Sequence, residues 1–378
     1  MRYLAAMILS VLLTGSYLDD ANAVLIGTGT GTGNTTAPAD DPGFANVGIC
    51  GSGSAIYLGN GWVLTAAHVY DGSGGLPSQT WFNGTFYNVV PGSGIQLENP
   101  TGVAPTEYTD LEMFRLATTP NLPSLTISAA PATAGWQVVM VGNGRDRVNN
   151  QLAYWTPAWL PSSTPTALAG DIWGTTQDIR WGTNVIDGPS TAHVFGLVSE
   201  MAFTTTFDQR GTAFEAQGTP GDSGGAVFHK DTKTGAWSLA GVMFETTALA
   251  SQPFGISVFG NSTYSADLSA YRTEISQIMS PPGDVNGDGV VNLQDLAIVA
   301  SNWLKTTKGG VAPAGDVNHD GIVNGQDLAI ISSAVSLSLQ GAGMSVAAVP
   351  EPDGWLLALA GLAALCFCAV RRHRDVRA

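Results

Sequence analysis

The sequence predicts an all-β principal domain followed by a small helical module and an apolar C-terminal segment. The chain has 378 residues, more than one typical domain, with 47 glycines and only 12% charged residues. In a glycine-rich chain of low charge, short apolar runs broken by turn residues are typical of β-structure. The predicted strands are Ser54–Leu58, Trp62–Thr65, Leu111–Leu116, Trp136–Val141, Ala226–Phe228 and Trp237–Phe244.

One helix is expected to close this domain. Leu268, Tyr271, Ile275 and Ile278 recur at helical spacing. The Pro-Pro-Gly run at 281–283 then breaks the helix and begins the next module.

Charge and cysteine content exclude several classes of protein. Fifteen basic residues against thirty acidic ones give a formal net charge of −15, which offers no patch for nucleic acid and makes anionic polymers poor substrates. Cys50 stands alone in the soluble part, whereas Cys366 and Cys368 lie in the apolar C-terminal segment. The sequence therefore provides no disulfide framework.

The N-terminus reads as a secretory signal peptide over residues 1–23. Arg2 precedes an apolar stretch, and Ala21-Asn22-Ala23 forms a small-residue cleavage site. Residues 24–44 are rich in Gly, Thr, Pro and Asp, which predicts a flexible leader.

A twelve-residue pattern at 284–295 recurs 32 residues later at 316–327. Oxygen side chains at positions 1, 3, 5, 9 and 12, a glycine at 6 and a backbone carbonyl at 7 match the calcium loop of EF-hands. The predicted ligands are Asp284, Asn286, Asp288, Val290, Asn292 and Asp295 in the first loop, and Asp316, Asn318, Asp320, Ile322, Asn324 and Asp327 in the second. Because the grouped carboxylates repel one another, we expect folding to depend on two structural Ca²⁺ ions, which take no part in catalysis. An amphipathic run follows each loop, and in the first it contains Leu296, Val299 and Trp303.

Three residues in the principal domain carry the predicted chemistry. His68 ends an apolar run, Asp110 begins another 42 residues later, and Ser223 lies among glycines a further 113 residues along. A serine hydroxyl needs an imidazole to take its proton, and the imidazole needs a carboxylate to orient it. His193 is a rival base, but no aspartate in a comparable context follows it before Ser223, so it is interpreted as structural.

These motifs and their order resemble the trypsin/chymotrypsin-like serine proteases over residues 45–280. The resemblance implies two packed six-stranded antiparallel barrels with the catalytic triad in the cleft between them. It also implies an oxyanion hole formed by the N–H groups of Gly221 and Ser223. The positions of the family's substrate pocket are occupied by Gln217, Phe244, Glu245 and Thr246.

Activation is expected to differ from that of the animal members of this family. Those use a freed N-terminus in an Ile-Val-Gly-Gly context, which pairs with the aspartate before the serine. That aspartate is Asp222 here, but the tetrad is missing, so a site formed without processing is predicted.

The paired loops resemble a type I dockerin domain over residues 283–336. Dockerins of this family bind cohesin modules, which implies a cohesin-like partner. Leu293-Gln294 and Gly325-Gln326 stand where the family often carries a Ser/Thr recognition pair. A calcium-stiffened spacer is therefore the alternative interpretation.

The C-terminus resembles a PEP-CTERM sorting signal over residues 349–374, which follows a linker at 337–348. Pro350-Glu351-Pro352 precedes an apolar segment at 354–370 and a basic cluster at 371–374, as in a transmembrane helix with its basic flank inside. The resemblance implies processing by an exosortase and export across the inner membrane of a Gram-negative bacterium. A simple tail anchor is the alternative.

Two functions from different classes follow from the sequence. The first is an exported serine endopeptidase. The second is a catalytically silent binding or scaffold protein of the cell surface that keeps the protease fold.

Overall fold

Apolar runs in the first part of the chain pair as short antiparallel strands, and two helices follow calcium-type loops in the second. The computed structural model describes residues 24–27, 33–69, 75–148, 151–281, 283–286, 291–306, 313–317 and 321–341. The chain divides into two compact units, Met1–Met279 and Ser280–Ala378.

The strands of the first unit are, in chain order, β1 (Leu25–Ile26), β2 (Val47–Cys50), β3 (Gly53–Gly59), β4 (Trp62–Ala66), β5 (Gln79–Phe82), β6 (Thr85–Asn88), β7 (Ile95–Glu98), β8 (Tyr108–Arg115), β9 (Gln137–Gly142), β10 (Ala153–Trp155), β11 (Pro161–Ser162), β12 (Leu168–Ile172), β13 (Arg180–Val185), β14 (Thr191–Phe195), β15 (Val198–Thr206), β16 (Ala216–Gln217), β17 (Ala226–Lys230), β18 (Trp237–Thr246), β19 (Ile256–Val258) and β20 (Ser262–Asp267). Helix α1 (Arg272–Met279) ends the unit, and short 3-10 helices occupy Phe44–Asn46 and Ala67–Val69. All six predicted strands are confirmed, and their bounds differ from the predicted ones by at most three residues. The closing helix is also present, but it begins at Arg272, so Leu268 and Tyr271, which were expected within it, precede it.

Two seven-stranded sheets dominate this unit. The first has the order β6-β5-β2-β3-β4-β8-β7 and the second β13-β9-β17-β18-β20-β15-β14. A four-stranded sheet, β11-β10-β12-β19, and the pair β1-β16 complete the arrangement. The mostly β prediction is confirmed.

The prediction of two closed six-stranded barrels is not confirmed. Each large sheet has seven strands, because terminal hairpins such as β5–β6 and β14–β15 add an edge strand. In the described residues the edges are linked only by isolated bridges, Val89 to Leu116 and Ile186 to Thr205. Neither sheet therefore closes through a continuous ladder.

A shared apolar core joins the sheets and positions α1. Ile56 and Leu64 of the first sheet belong to the same buried cluster as Val242 of the second, and Tyr271 and Ile275 from the helix region join it. Burial of each such side chain contributes about 1.5–3 kcal/mol.

The start of the predicted flexible leader is instead a buried strand. Val24 and Leu25 have no exposed surface, and Ile26 is 2% exposed. β1 pairs with β16, and Val24 packs against Met140 and Phe203 in a second apolar cluster. Because the backbone of this segment pairs with β16 and its side chains are buried, the segment forms an ordered strand. The Gly- and Thr-rich residues that follow it in the sequence led to the prediction of a flexible leader.

The second unit contains α2 (Leu293–Ser301) and α3 (Gly325–Gly341). Asn292 caps α2: its side chain accepts a hydrogen bond from the N–H of Gln294 at 2.7 Å, and Asp295 completes a capping box. The small core contains Val291, Val299, Val323 and Ile331. Of the predicted amphipathic run, Val299 is buried, whereas Trp303 lies beyond the helix and is 44% exposed.

No helix within the described residues is long and apolar enough to span a bilayer. The apolar segment predicted at 354–370 lies outside those residues, as do the signal peptide and the sorting signal.

Candidate active site

His68 and Asp110 meet because their strands are neighbours. β4 pairs with β8, with Ala66 opposite Leu111, so the 3-10 helix that continues β4 brings His68 beside the start of β8. His68 Nδ1 lies 2.5 Å from Asp110 Oδ2, and the His68 backbone N–H donates to Asp110 Oδ1 at 3.0 Å. Asp110 is only 3% exposed. The two contacts fix both the ring and the backbone of the histidine.

Ser223 lies on a turn between β16 and β17 that requires glycines. Gly221 and Gly224 have φ values of +105° and +84°, which favour residues without a side chain. A Cβ at Gly224 would also overlap the Ser54 carbonyl oxygen and the Thr65 hydroxyl. The turn is therefore held against β3 and β4.

β3 brings the serine turn to the histidine. The N–H of Ser54 donates to the Ser223 carbonyl at 2.8 Å, and Ser54 Oγ donates to the Gly221 carbonyl at 2.8 Å. A Cβ built at Gly53 would lie 2.7 Å from the Ser223 carbonyl oxygen and 2.9 Å from the side chain of Val69, the neighbour of His68. The serine turn and the 3-10 helix thus flank the same glycine.

The Ser223 hydroxyl donates to the Phe244 carbonyl at 3.4 Å. Within the described part of the chain, no hydrogen bond joins this hydroxyl to His68. Such bonds are often long or misaligned in free enzymes and tighten when substrate binds. The structure therefore brings the predicted base and its acid into contact, and it holds the turn that carries the predicted nucleophile against β3, beside the 3-10 helix of His68.

The predicted oxyanion-hole donors are available. The backbone N–H groups of Gly221 and Ser223 have no acceptor among the described residues, although their neighbours at 222 and 224 are bonded to Thr219 and Met243. A side chain at Gly221 would meet the Asn143 carbonyl oxygen at 2.6 Å.

The buried Asp222 has partners within its own unit. Its carboxylate accepts the N–H groups of Gly144 and Thr219, each at 2.7 Å, and the Thr219 hydroxyl at 3.1 Å. Burial raises the pKa of Asp222 to about 7, against the lowering effect of these donors and of the nearby Arg180.

Glu200 was not identified from the sequence. It lies on β15, has no exposed surface, and accepts the backbone N–H of Asp110 through Oε2 at 3.1 Å. Its Oε1 has no partner within the described residues. Burial raises the pKa of Glu200 to about 8, and the charge of Asp110 adds to the effect. The only sequence signal is an acidic residue inside the apolar strand 198–206.

A cavity of about 290 Å³ opens beside Ser223. It is lined by Phe195, Gly218, Thr219, Pro220, Asp222, Ser223, Met243, Phe244, Glu245, Thr246 and Thr263. The predicted pocket residues Phe244, Glu245 and Thr246 are therefore found there. Gln217 is not, because β16 pairs with β1 and the residue is 2% exposed.

His193 forms a second imidazole–carboxylate pair, at the wall of this cavity. Its Nε2 lies 2.6 Å from Glu245 Oε2, and its ring stacks on Tyr264 with 4.0 Å between centroids. Phe195 links the two histidine sites, because its ring lies 5.2 Å from that of His68 and 5.5 Å from that of Phe244.

The predicted calcium loops are described in part. Asp288, Val290, Asn318 and Asp320 lie outside the described residues, and no group of three or more potential metal-binding side chains occurs among the ligands inside them. Asp316, the first position of the second loop, is 6% exposed, and its Oδ1 has no partner in the described residues. An orphaned, buried carboxylate oxygen at that position fits a hard cation.

Two segments of the chain match known domain families. Residues 51–235 match the trypsin-like peptidase domain, and residues 282–336 match the dockerin type I domain. Both domains are therefore found in the chain, and dockerin type I domains are typically calcium-binding. No curated protein matches the sequence significantly.

Among the solved structures that match are three proteases. Neuropsin, a serine protease expressed in the limbic system of mouse brain, is 14% identical, covering 66% of this chain and 99% of its own, with a TM-score of 0.40. The inactive form of Rv3671c protease, from M. tuberculosis H37Rv, is 16% identical over 62% of this chain and 89% of its own, with a TM-score of 0.35. The HtrA-type protease AlgW with decapeptide is 17% identical over 60% and 50%, with a TM-score of 0.34.

Proposed function

We propose that this chain is an exported serine endopeptidase whose triad is His68, Asp110 and Ser223. The contact between His68 and Asp110 carries the proposal, because a buried aspartate that holds both the ring and the backbone of a histidine serves to orient a base. The match to the trypsin-like peptidase domain supports the same function.

In this mechanism His68 takes the proton from Ser223 as the serine oxygen attacks the substrate carbonyl. The N–H groups of Gly221 and Ser223 bind the oxyanion that forms, and loss of one such donor typically costs about 10²–10³ in rate. His68 then gives its proton to the leaving amine, and water hydrolyses the acyl-enzyme by the reverse sequence of proton transfers.

We propose further that the site forms without N-terminal processing. The carboxylate of Asp222 already accepts three hydrogen bonds from Gly144 and Thr219. A freed amino group is thus not needed to satisfy it.

A fluorophosphonate probe tests the enzyme assignment. The wild-type chain is expected to be labelled, and Ser223→Ala to lose the label while keeping its Tm. Ser162→Ala, which changes a serine on β11, is the matched control and should be labelled like wild type. A folded but unlabelled wild type would favour the catalytically silent scaffold, for which the bond between Ser223 and the Phe244 carbonyl is the supporting observation.

The dockerin-like unit is proposed to hold two structural Ca²⁺ ions, through the side chains of Asp284, Asn286, Asp288, Asn292 and Asp295 with the Val290 carbonyl, and of Asp316, Asn318, Asp320, Asn324 and Asp327 with the Ile322 carbonyl. The bound ions would neutralise the carboxylates and stabilise the fold. A cohesin-like module is the proposed partner, and a spacer role is the alternative. Binding of a cohesin panel in calcium, lost on chelation, distinguishes them.

Export and sorting are proposed from the sequence alone. The signal peptide at 1–23 would direct the chain across the inner membrane, and the PEP-CTERM-like segment at 349–374 would hold it in that membrane until an exosortase acts. Cell fractionation of the full chain and of a chain truncated after residue 348 tests this. Equal release of both chains from the membrane would contradict the proposal.

A further inference from the structure

We infer that Glu200 is a positioning residue of the triad: its carboxyl group holds the backbone of Asp110 in the place from which that aspartate orients His68. The inference rests on the proposed function, since it concerns how the proposed triad is held. Glu200 has no exposed surface, so it does not meet a substrate and acts through Asp110.

The backbone of β8 lies in an irregular part of its sheet at Asp110. β8 pairs with β4 only from Leu111 onward, and its pairing with β7 shifts register between Gln96 and Glu98. Side chains replace strand partners along this stretch. Gln96 Nε2 donates to the Thr109 carbonyl at 2.7 Å, and the Leu111 N–H donates to Thr109 Oγ1 at 3.0 Å. The position of Asp110 therefore depends on side chains as well as on the ladder.

Glu200 supplies the acceptor for Asp110 itself. Its Oε2 accepts the Asp110 N–H at 3.1 Å, and both residues are buried. Loss of this acceptor would leave a buried N–H without a partner, which costs free energy. The start of β8 would then shift toward another acceptor.

Such a shift would reach the imidazole directly. Asp110 Oδ1 accepts the His68 N–H at 3.0 Å, and Asp110 Oδ2 lies 2.5 Å from His68 Nδ1. A single residue thus joins Glu200 to the proposed base, with its backbone bonded on one side and its carboxylate on the other. A displacement of about 1 Å at a catalytic group can cost about 10²-fold in rate.

The surroundings of Glu200 favour its neutral form. The groups nearest to it are two carboxylates, an imidazole opposite it in the β14–β15 ladder and a phenol before α1, namely Asp110, Glu245, His193 and Tyr271. Glu200 Oε1 has no partner within the described residues, so ionisation would bury a charged oxygen without a donor. Burial, and then the charge of Asp110, accordingly raise the pKa of Glu200 to about 8. Glutamine is neutral and can accept the same N–H, so it should replace Glu200 in this role.

The kinetics of fluorophosphonate labelling test this inference, because the probe requires the base but no knowledge of the substrate. Glu200→Leu, which removes the acceptor, is expected to lower the rate constant at saturating probe about 10–100-fold and to leave the half-saturating concentration unchanged. Glu200→Gln should label like wild type. Glu107→Gln, on an exposed loop, is the control for the glutamine variant.

Further variants separate positioning from stability. Glu200→Asp keeps an acid of shorter reach, so it should lose the bond and label slowly, and it tests the inference even where leucine prevents folding. Glu215 is another buried glutamate of the same unit, and it accepts the N–H groups of Asp208 at 3.0 Å and Thr212 at 2.6 Å. Glu215→Leu and Glu215→Asp should lower the Tm but label like wild type.

The two levels of failure are distinguishable. A labelled wild type whose Glu200→Leu and Glu200→Asp variants label at the same rate overturns this inference and leaves the proposed function standing. An equal loss in the Glu215 variants, or a glutamine variant as slow as the leucine variant, also overturns it. A folded wild type that is not labelled overturns the proposed function and the inference with it.

Discussion

Two buried carboxylates, one in each unit, have opposite pKa shifts. Asp295 of the dockerin-like unit accepts backbone N–H groups from Val285 and Asn292 at 2.8 Å and from Asn286 at 3.2 Å. Burial raises its pKa, but these donors outweigh that effect and the net shift is downward. Glu200 accepts one N–H, and burial raises its pKa to about 8. The number of donors, and not burial alone, decides which acid is charged.

The opposite pKa shifts of Asp295 and Glu200 reflect different roles of charged side chains in the two units. In the dockerin-like unit, charged side chains organise the loops and prepare them for a cation. In the peptidase unit, the negative charge that matters is Asp110, and the acid packed against it holds its own proton near neutral pH. Near neutral pH, Glu200 therefore does not place a second negative charge next to that of Asp110.

Removal of the charge at Asp110 is expected to have the largest effect. Asp110→Asn keeps the size of the side chain but leaves the imidazole in the wrong tautomer, so kcat should fall about 10⁴-fold. Steady-state kinetics on a peptide substrate, with Tm measured in parallel, checks this. Asp231→Asn, at an exposed turn, is the control. A loss below tenfold would show that Asp110 is not the orienting acid.

Removal of calcium should break the second unit alone. At a thousandfold excess over Kd, a bound ion stabilises a domain by about 4 kcal/mol. Chelator is therefore expected to abolish the calorimetric transition of residues 283–336 and to leave labelling of Ser223 intact. Magnesium in place of calcium is the control. A transition that chelator does not move would contradict the calcium assignment.

Contacts between residues at the ends of neighbouring strands could be predicted from the sequence. Contacts that arise from the packing of distant segments could not. His68 and Asp110 could be placed because each adjoins an apolar run, and paired strands bring such ends together. The role of Glu200 could not be predicted, because a single acidic residue in a strand does not show which residues bury it in the folded chain. The position of Gln217 depended on β1, whose pairing with β16 spans 190 residues and has no local signal.

Closure of the barrels also lay beyond sequence reasoning. The strands followed from local alternation and turns, but whether a sheet closes depends on strand tilt and stagger between distant edges. Among the residues that the structure describes, the edges meet only at single bridges such as Ile186 to Thr205.

Glu200→Gln sharpens the contrast between the two acids. The pKa of Glu200 rises from an ordinary value of 4.5 to about 8 on folding, so between these values the folded chain holds more protons than the unfolded chain. The stability of the first unit must then fall as pH rises through this window, by at most about 1.4 kcal/mol per pH unit from this group.

The glutamine variant removes that contribution but keeps an acceptor for the Asp110 N–H. Denaturant unfolding from pH 5 to 8 should therefore show a shallower decline than in wild type. The residual slope belongs to other raised acids, including Asp222. Glu107→Gln again provides the control. Parallel curves for wild type and Glu200→Gln would mean that the acid is ionised throughout.

Asp40 is a solvent-exposed carboxylate that can be compared with the two buried ones. Its substitution is expected to have the smallest effect on stability. Its pKa is lowered, chiefly by hydrogen bonds from Lys230 at 2.6 Å and from the Trp237 ring at 3.0 Å. Solvent competes for both bonds, and exposed ion pairs contribute little to stability. Asp40→Asn should therefore leave the Tm of the first unit within about 1 °C in calorimetry. A larger fall would show that surface charges, as well as buried ones, hold this unit together.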